Sequence, residues 1–268
     1  MLLEMNDRQS KRMNIHNTAI VSKDAKIGEG VSIGPYTVVN GNTDIGAGTS
    51  IGAHCVIDEF TTIGRNCQVF SGAVIGSITQ DKKFVNKKSF LTLGDNNVIR
   101  EYATINRGTG EDSKTSIGNN CLLMAYSHIA HDCVIGDNVI IANCGTLAGH
   151  VRLDNGAMIG GLAAAHQFVR IGTMAIIGGC SKAVQDIVPY AMADGHPAKI
   201  YTVNTVGLKR AGFSRESISC LKRAFKIIFS MGLNTKNALT RINEQLAPTN
   251  EITILLNFIK DSERGISK

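Results

Sequence analysis

Aliphatic residues return at a fixed interval of six along most of this chain. Between Ile117 and Ile177 only Ala165 departs from a large aliphatic side chain at the repeated position. The series is Ile117, Leu123, Ile129, Ile135, Ile141, Leu147, Leu153, Ile159, Ala165, Ile171 and Ile177. A period of six fits neither an α-helix nor a simple strand, so it indicates a repeat architecture.

The same register extends upstream, from Ile15 to Ile75 and again from Leu93 to Ile105. Asp81, Lys87 and Glu111 occupy the repeated position where the register fails, which indicates two interruptions. Glycine recurs at intervals of eighteen, as in Gly28, Gly46 and Gly64, then Gly118, Gly136 and, past Asp154, Gly172. A six-residue repeat within an eighteen-residue repeat predicts coils of three short strands joined by tight corners. Stacked coils of this kind form a parallel β-helix of triangular section.

The hydrophobic period divides the chain into three parts. Residues 1–13 carry no repeat and are expected to be a loose extension. Residues 14–188 form the predicted solenoid, and residues 189–268 turn to a helical period. Ser214 is a good helix N-cap, and an apolar stripe follows it up to Gly232. A solenoid needs a cap over its last coil, which a small helical domain can supply.

Composition agrees with a single enzyme-sized chain. Its 268 residues include 28 glycines, no tryptophan and 5% aromatic residues, which suits a narrow solenoid with many corners. The formal charge of +6 suggests an acidic partner without demanding nucleic acid. No apolar run has membrane-spanning length, and the N-terminus lacks a signal-peptide core, so we expect a cytoplasmic protein without a transmembrane segment.

Four of the seven cysteines fall at the small inward position of the repeat. They are Cys55, Cys67, Cys121 and Cys133, and no CxxC pair is present. We interpret them as reduced core residues rather than a metal or redox site.

The two interruptions are candidate loops. The first, SITQDKKFVNKKSF, lies between Ile75 and Leu93 and is too polar for the core. Loops that project from rigid scaffolds often carry function, although a solvated excursion is the plain alternative. The second, Arg107–Ser116, is rich in glycine, threonine and charge and is interpreted as an ordinary loop.

Residues eighteen apart lie one coil apart, about 4.8 Å along the axis. This places Gly149 above His131, Gln167 above Gly149, and Asp132 beneath His150, with further histidines at 128 and 166 close by. A histidine beside a carboxylate suits a general base, and a glycine one coil away can offer its N–H to an oxyanion. Because no serine or cysteine nucleophile accompanies the cluster, we expect a substrate hydroxyl to attack directly.

Five motifs give the chain a specific resemblance. LLMAYSHIAHDCVIG, TLAGHV, AAHQF, GGCS and GLKRAGFSRE resemble the acyl-(acyl-carrier-protein)–UDP-N-acetylglucosamine O-acyltransferases of lipid A biosynthesis. The resemblance runs from about Ile15 into the C-terminal helices and includes the QDKK loop. It implies a left-handed parallel β-helix assembled as a homotrimer, with a small C-terminal α-helical domain. It further implies transfer of an R-3-hydroxyacyl chain from acyl carrier protein to the 3-hydroxyl of UDP-N-acetylglucosamine, and no metal or cofactor is expected.

The resemblance also implies roles for individual residues. His131 matches the general base, Asp132 its orienting carboxylate, and Gly149 the oxyanion donor, while Gly179 matches a position that bears on acyl-chain length. The positions that match substrate contacts are Asp81, Lys83, His128, His150, His166, Gln167, Asn204 and Arg210. The chain departs from the family pattern at Val206, Ala211 and Pro197, where acidic, arginine and histidine residues are typical.

Three other interpretations remain open from the residues. A trimeric carbonic anhydrase would use His128, His131 and His150 as zinc ligands, but it leaves the QDKK loop and the basic helical cap unexplained. A sister N-acyltransferase of the same pathway usually carries a separate N-terminal domain, for which there is no room here. A non-catalytic hexapeptide subunit would not need the histidines and Asp132 on one surface.

Two expectations concern partners. The basic residues Lys209, Arg210, Arg215, Lys222, Arg223 and Lys226 crowd the start of the helical region and suit acidic acyl carrier protein, although a charge run is often only a solvated face. Eighteen-residue coils place the QDKK loop about three coils below the histidines, roughly 14 Å along the axis. A site that uses both is then easiest to close with a loop from a neighbouring chain, which favours a homotrimer with shared sites.

Overall fold

The computed structural model describes residues 14–82, 84–85 and 87–268 of the chain. The predicted extension 1–13 and Lys83 lie outside the described residues. Within them, the chain winds into a triangular parallel β-helix followed by a hairpin and four α-helices. None of these helices has the length and hydrophobicity needed to cross a membrane.

Three sheets form the walls of the β-helix, and each coil contributes one strand to each wall. The first sheet contains β1 (Asn14–Ile15), β4 (Ser32–Ile33), β7 (Ser50–Ile51), β10 (Gln68–Val69), β13 (Val98–Ile99), β16 (Leu122–Leu123), β19 (Ile140–Ile141), β22 (Met158–Ile159), β25 (Ile176–Ile177), β27 (Ala191–Gly195) and β28 (Ala198–Val203). The second contains β2 (Ile20–Val21), β5 (Val38–Val39), β8 (Val56–Ile57), β11 (Val74–Ser77), β14 (Thr104–Asn106), β17 (His128–Ile129), β20 (Thr146–Leu147), β23 (Ala164–Ala165) and β26 (Lys182–Ala183). The third contains β3 (Lys26–Ile27), β6 (Asp44–Ile45), β9 (Thr61–Ile63), β12 (Phe90–Leu93), β15 (Lys114–Ile117), β18 (Val134–Ile135), β21 (Arg152–Leu153) and β24 (Arg170–Ile171).

The predicted six-residue series forms the core. Ile33, Ile57, Ile105 and Ile129 are each at most 2% exposed, and the small Ala165 is also buried. Ile15, in contrast, is 40% exposed, because no other coil among the described residues lies beneath it. The repeat pattern therefore predicted the buried face of the solenoid correctly.

The four cysteines predicted to be core residues are buried and free. Each thiol donates a hydrogen bond to a backbone carbonyl of a neighbouring coil, such as Cys133 Sγ to Ala148 O at 3.2 Å. Burial raises the pKa of all four thiols, that of Cys133 to about 12. The prediction that these four cysteines are reduced core residues is confirmed.

The coil register is kept across both interruptions, although the coils there are longer. Ile57 pairs with Ile75 after eighteen residues, Ile75 with Ile105 after thirty, and Ile105 with Ile129 after twenty-four. The additional residues leave the wall as loops while the inward side chains stay stacked. Insertions are tolerated there because a surface loop adds little entropy cost and leaves the core unchanged.

The corner between the second and third sheets carries residues with left-handed backbone conformation. Asp132, His150 and Phe168 have φ values of 58°, 61° and 65° and stand on successive coils. A non-glycine residue in this conformation is uncommon and costs free energy, so the tight corner and the flanking strand pairing must maintain it. The side chains of these three residues are consequently presented in one column.

The end of the solenoid differs from a purely helical cap. β27 continues the first sheet in parallel with β25 and then pairs with β28 as an antiparallel hairpin, which the helical period did not predict. α1 (Thr205–Arg210), α2 (Arg215–Phe225), α3 (Thr235–Gln245) and α4 (Asn250–Lys260) follow, with a π-helical turn at Lys226–Ser230. The Ser214 side chain accepts a hydrogen bond from Ser217 N, so the predicted N-cap of α2 is confirmed.

The end of the chain returns to the solenoid. Asp186 forms a bridge with Ile266 and accepts a hydrogen bond from the Ser262 hydroxyl at 2.7 Å. The same carboxylate accepts from Arg170 N at 2.8 Å. These contacts fix the residues after α4 against the third sheet.

Candidate active site

His131 and Asp132 form a pair at the corner between the second and third sheets. His131 Nδ1 lies 2.9 Å from Asp132 Oδ2, and His131 is only 7% exposed. An ionised carboxylate can only accept, so Nδ1 carries the hydrogen and Nε2 keeps a free lone pair. The pair is therefore arranged as a general base with an orienting carboxylate.

The Asp132 carboxylate is held from a second direction. The Thr109 hydroxyl donates to Oδ2 at 2.6 Å, and the Asp132 N–H donates to Thr115 Oγ1 at 2.8 Å. Burial alone raises the pKa of Asp132, but hydrogen bonds from Thr109 and His131 outweigh it and hold the pKa below its usual range. Asp132 is consequently ionised at neutral pH.

Gly149 lies directly against the His131 ring, one coil above it. A Cβ at position 149 would overlap the imidazole, so only glycine leaves room for this ring position. Among the described residues, the Gly149 N–H donates no hydrogen bond within the protein. An unengaged N–H beside a general base is suited to a developing oxyanion.

His150 stands between Asp132 and Phe168 in the column. Its Nε2 lies 3.7 Å from Asp132 Oδ2, and its ring meets the His131 ring edge-on with centroids 5.2 Å apart. On its other side the ring stacks on Phe168 at 4.6 Å and 7°. Two imidazoles therefore flank the same carboxylate oxygen.

His128 projects from β17 toward the same region. Its Nδ1 lies 2.7 Å from the Thr104 hydroxyl of the coil below. Burial lowers the pKa of His128, and the nearby His131 lowers it further. His128 is thus a neutral imidazole that can donate or accept a hydrogen bond.

A cleft of about 500 Å³ opens beside these residues. It is lined by Thr79, Gln80, Asp81, Lys82, Asn106, His128, Ala130, His131, Ala148, Gly149 and Gln167. The expectation that the QDKK loop starts three coils below the histidines is wrong. The longer coils place β11 only two strands from β17, so the loop reaches the histidines within one chain.

Other predicted site residues lie elsewhere. His166 is exposed beside Gln167, and its Nδ1 lies 3.2 Å from Gln167 O. Asn204 is 3% exposed and caps α1, accepting from Gly207 N while its amide donates to Met174 O. Arg210 is exposed at the end of α1, and Gly179 lies at a different corner, against Gly161. None of these four lines the cleft, and their roles stay predictions.

The zinc-site alternative names His128, His131 and His150 as ligands, but the structure groups a different set of side chains. Within the described residues, the group with metal-ligand spacing is His131, Asp132 and His150, whose ligand atoms lie within 4.8 Å of one another. His128 is not part of it. Asp132 Oδ2 already accepts from Thr109 and His131, so a cation there would compete with the pair.

Sequence reasoning missed several residues of the site. Thr109 and Thr115 hold Asp132, Thr104 contacts His128, and Phe168 stacks on His150. Thr109 falls in the second interruption, where the sequence alone indicates only an ordinary loop. The pairing of Ile105 with Ile129 shows that this coil contains twenty-four residues. Position 108, next to Thr109, therefore lies beneath Asp132.

Two family models match the chain, over three stretches. Residues 186–267 match the second domain of UDP-N-acetylglucosamine O-acyltransferase, and residues 24–59 and 114–149 match the bacterial transferase hexapeptide. The hexapeptide match and the solved structures below confirm the left-handed parallel β-helix.

Similar proteins cover nearly the whole chain. The acyl-(acyl-carrier-protein)–UDP-N-acetylglucosamine O-acyltransferase of Thiobacillus denitrificans is 49% identical over 94% of this chain and 98% of its own length. The structure of LpxA, a UDP-N-acetylglucosamine acyltransferase from Bacteroides fragilis, has 41% identity and a TM-score of 0.92, covering 94% of this chain and 99% of its own. LpxA from Acinetobacter baumannii has 40% identity and a TM-score of 0.92, covering 95% and 99%.

The buried position of His128 leads to a pH prediction. We expect its Cε1–H resonance to titrate with a midpoint below the ordinary histidine value of about 6.5, because burial disfavours the imidazolium. The unfolded chain then binds a proton near pH 6.5 that the folded chain does not, so this histidine contributes a loss of stability as pH falls through that range. A His128→Gln variant assigns the resonance, and the urea-unfolded protein supplies the reference midpoint. A folded midpoint at or above the unfolded one contradicts the prediction.

Proposed function

Because the chain belongs to the acyl-(acyl-carrier-protein)–UDP-N-acetylglucosamine O-acyltransferases, we propose that it carries out this transfer with His131 as general base. The acyl group is an R-3-hydroxyacyl chain, the acceptor is the 3-hydroxyl of UDP-N-acetylglucosamine, and the reaction is the first step of lipid A biosynthesis. The observation that carries the proposal is the His131–Asp132 pair packed against Gly149 at the edge of a cleft. The cytoplasmic location stays a prediction.

The geometry supports a single displacement without an acyl-enzyme. His131 Nε2 takes the proton of the sugar hydroxyl as its oxygen attacks the thioester carbonyl. The Gly149 N–H donates to the oxyanion that forms, and Asp132 stabilises the imidazolium. When the carbon–sulfur bond breaks, the proton on Nε2 passes to the leaving sulfur. Thiol and ester are formed, and the enzyme is returned to its starting state.

The cleft gives the acceptor a place beside the base. Asp81, Gln167 and His128 line it and provide hydrogen-bonding groups for a sugar, and His150 lies across the corner from His131. Lys83 and His166 are assigned to substrate contacts by the family resemblance. The family resemblance likewise assigns Gly179 to acyl-chain length.

The assembly proposed is a homotrimer with sites shared between chains. Asn204 and Arg210 match family positions that contact the substrate sugar, nucleotide or phosphates, yet neither lines the cleft of its own chain. We infer that a neighbouring copy brings its Arg210 toward that cleft. The position of the QDKK loop gives no support for an active site shared between chains, because the loop reaches the cleft of its own chain. Three triangular β-helices packed side by side form a closed trimer with three equivalent interfaces.

The donor is acyl carrier protein, an acidic partner suited to the basic surface of the helical region. Lys209, Arg215 and Lys222 line one groove together with Ile218. Lys222 and Lys226 line a second groove beside Phe229 and Tyr201. Arg223 is set apart, because its guanidinium donates to Gln245 O on α3. We therefore take the docking surface to be Lys209, Arg215, Lys222 and Lys226, which are all exposed.

Removal of the base tests the mechanism. We expect His131→Ala to lower turnover by about 10²–10⁴-fold, because general-base catalysis contributes on that order. The melting temperature should stay close to that of the parent. His54→Ala is the matched control, since His54 also stands at a coil corner but on a different edge of the prism. Near-normal turnover of His131→Ala, or loss of activity together with bound zinc, contradicts the assignment.

Charge reversal tests the docking surface. Replacing Lys209, Arg215, Lys222 and Lys226 with glutamate should raise KM for acyl carrier protein and flatten its dependence on ionic strength, since screened attraction accelerates encounter. KM for the nucleotide sugar should be unchanged, and Arg210 is left intact because of its proposed nucleotide contact. Lys236→Glu, on the exposed face of α3, is the control. An unaltered KM for the carrier protein at low salt indicates that these residues are only a solvated surface.

Mixed oligomers test the shared site. Chains carrying His131→Ala and chains carrying Arg210→Ala are each expected to be weakly active. Random co-assembly from an equal mixture should restore up to about a quarter of the parent activity, because that share of interfaces combines both intact residues. Mixing the preassembled variants without subunit exchange is the control. No recovery after verified co-assembly, or a fully active monomer by light scattering, rules out sharing of this pair.

A further inference from the structure

The loop at Arg107–Ser113 wraps the carboxylate of Asp132. The Thr109 hydroxyl donates to Asp132 Oδ2 at 2.6 Å, and the Thr109 N–H approaches both carboxylate oxygens at 3.3 and 3.4 Å. Among the described residues, the Thr109 hydroxyl has no second hydrogen-bond partner. Its hydroxyl therefore serves Asp132 alone.

The loop is itself firmly anchored. Ser89 Oγ donates to Gly108 O at 2.6 Å, and the Gly110 N–H donates to Ser113 Oγ at 2.7 Å. At Gly108 a Cβ would overlap Ser113 and crowd the Asp132 carboxylate, so glycine permits the close approach. Hydrogen bonds on both sides of Thr109 therefore hold its short side chain in place against Asp132.

Asp132 needs such an anchor because two histidines compete for it. His131 Nδ1 lies 2.9 Å and His150 Nε2 lies 3.7 Å from the same oxygen, Oδ2. A small rotation of the carboxylate would exchange one imidazole partner for the other. If His131 loses the carboxylate, its tautomer is no longer fixed and Nε2 is no longer reliably the basic nitrogen.

We propose that Thr109 is a positioning residue for the acyl transfer, which keeps the Asp132 carboxylate on His131 and away from His150. This inference rests on the proposed role of His131 as base. Thr109 touches no reacting atom and acts only through Asp132. The loop that appears in the sequence as an interruption of the repeat is thereby part of the catalytic apparatus.

The test is a double-mutant cycle on turnover. Thr109→Val keeps the shape and removes the donor, and we expect kcat to fall about tenfold, as loss of one hydrogen bond to a charged group implies. KM for both substrates should change less than about twofold, since the cleft is unaltered, and Thr109→Ser should restore most of kcat. In an Asp132→Ala background, Thr109→Val should have almost no further effect, because the group on which it acts is gone.

Thr43→Val is the matched control. The Thr43 hydroxyl is buried and donates to a corner carbonyl, Asn40 O at 2.9 Å, far along the solenoid from the site. Its loss should lower the melting temperature without changing kcat. Comparison of the two valine variants separates a general cost of losing a threonine hydroxyl from an effect on Asp132.

Each outcome of the cycle has one meaning. Equal losses from Thr109→Val with and without Asp132 overturn the inference, because the hydroxyl would then act elsewhere, and an unchanged kcat overturns it as well. His131→Ala is measured alongside. If that variant is fully active, the proposed base is wrong and the inference falls with it; if it is inactive while Thr109→Val behaves as the parent, only the role of Thr109 is refuted.

Discussion

The stacking of one inward aliphatic side chain on the next, coil after coil, is the constraint on which this structure depends. Each strand has only two to six residues and could not persist alone. Burying the series that includes Ile57, Ile75, Ile105 and Ile129 in one column fixes which residue of a coil lies above which residue of the last. Because a shift of one residue would turn every inward side chain outward, this register is strongly specified.

The site follows from that register. Residues at the same corner position stand in line, so Asp132, His150 and Phe168 form one column and His131 meets Gly149 above it. This corner supplies the proposed base, His131, its carboxylate partner and the unengaged N–H of Gly149. Both interruptions add material beside this column without disturbing the core: residues 79–82 of the first form a wall of the cleft, and Thr109 of the second holds Asp132.

Periodicity was sufficient to predict the coil, the buried face and the neighbours of His131, because most coils contain the same number of residues. The prediction failed where the number of residues per coil changes. The QDKK loop was placed one coil too far from His128, since two coils of thirty and twenty-four residues were treated as multiples of eighteen. The hairpin of β27 and β28 was missed for a related reason: it continues a sheet wall after the six-residue series has ended. Thr109 could not be recognised because a hydroxyl in a polar loop has no periodic signal.

This chain transfers an acyl group from acyl carrier protein to a nucleotide sugar, and we propose that the transfer is direct and takes place at the His131 corner. The most direct measurement is mass spectrometry of the products and of the intact chain after incubation with R-3-hydroxyacyl carrier protein, with and without UDP-N-acetylglucosamine. We expect a 3-O-acylated UDP-N-acetylglucosamine only when both substrates are present, and no acyl adduct on the protein in either mixture. Absence of that product, or an acylated chain formed from the donor alone, would contradict it.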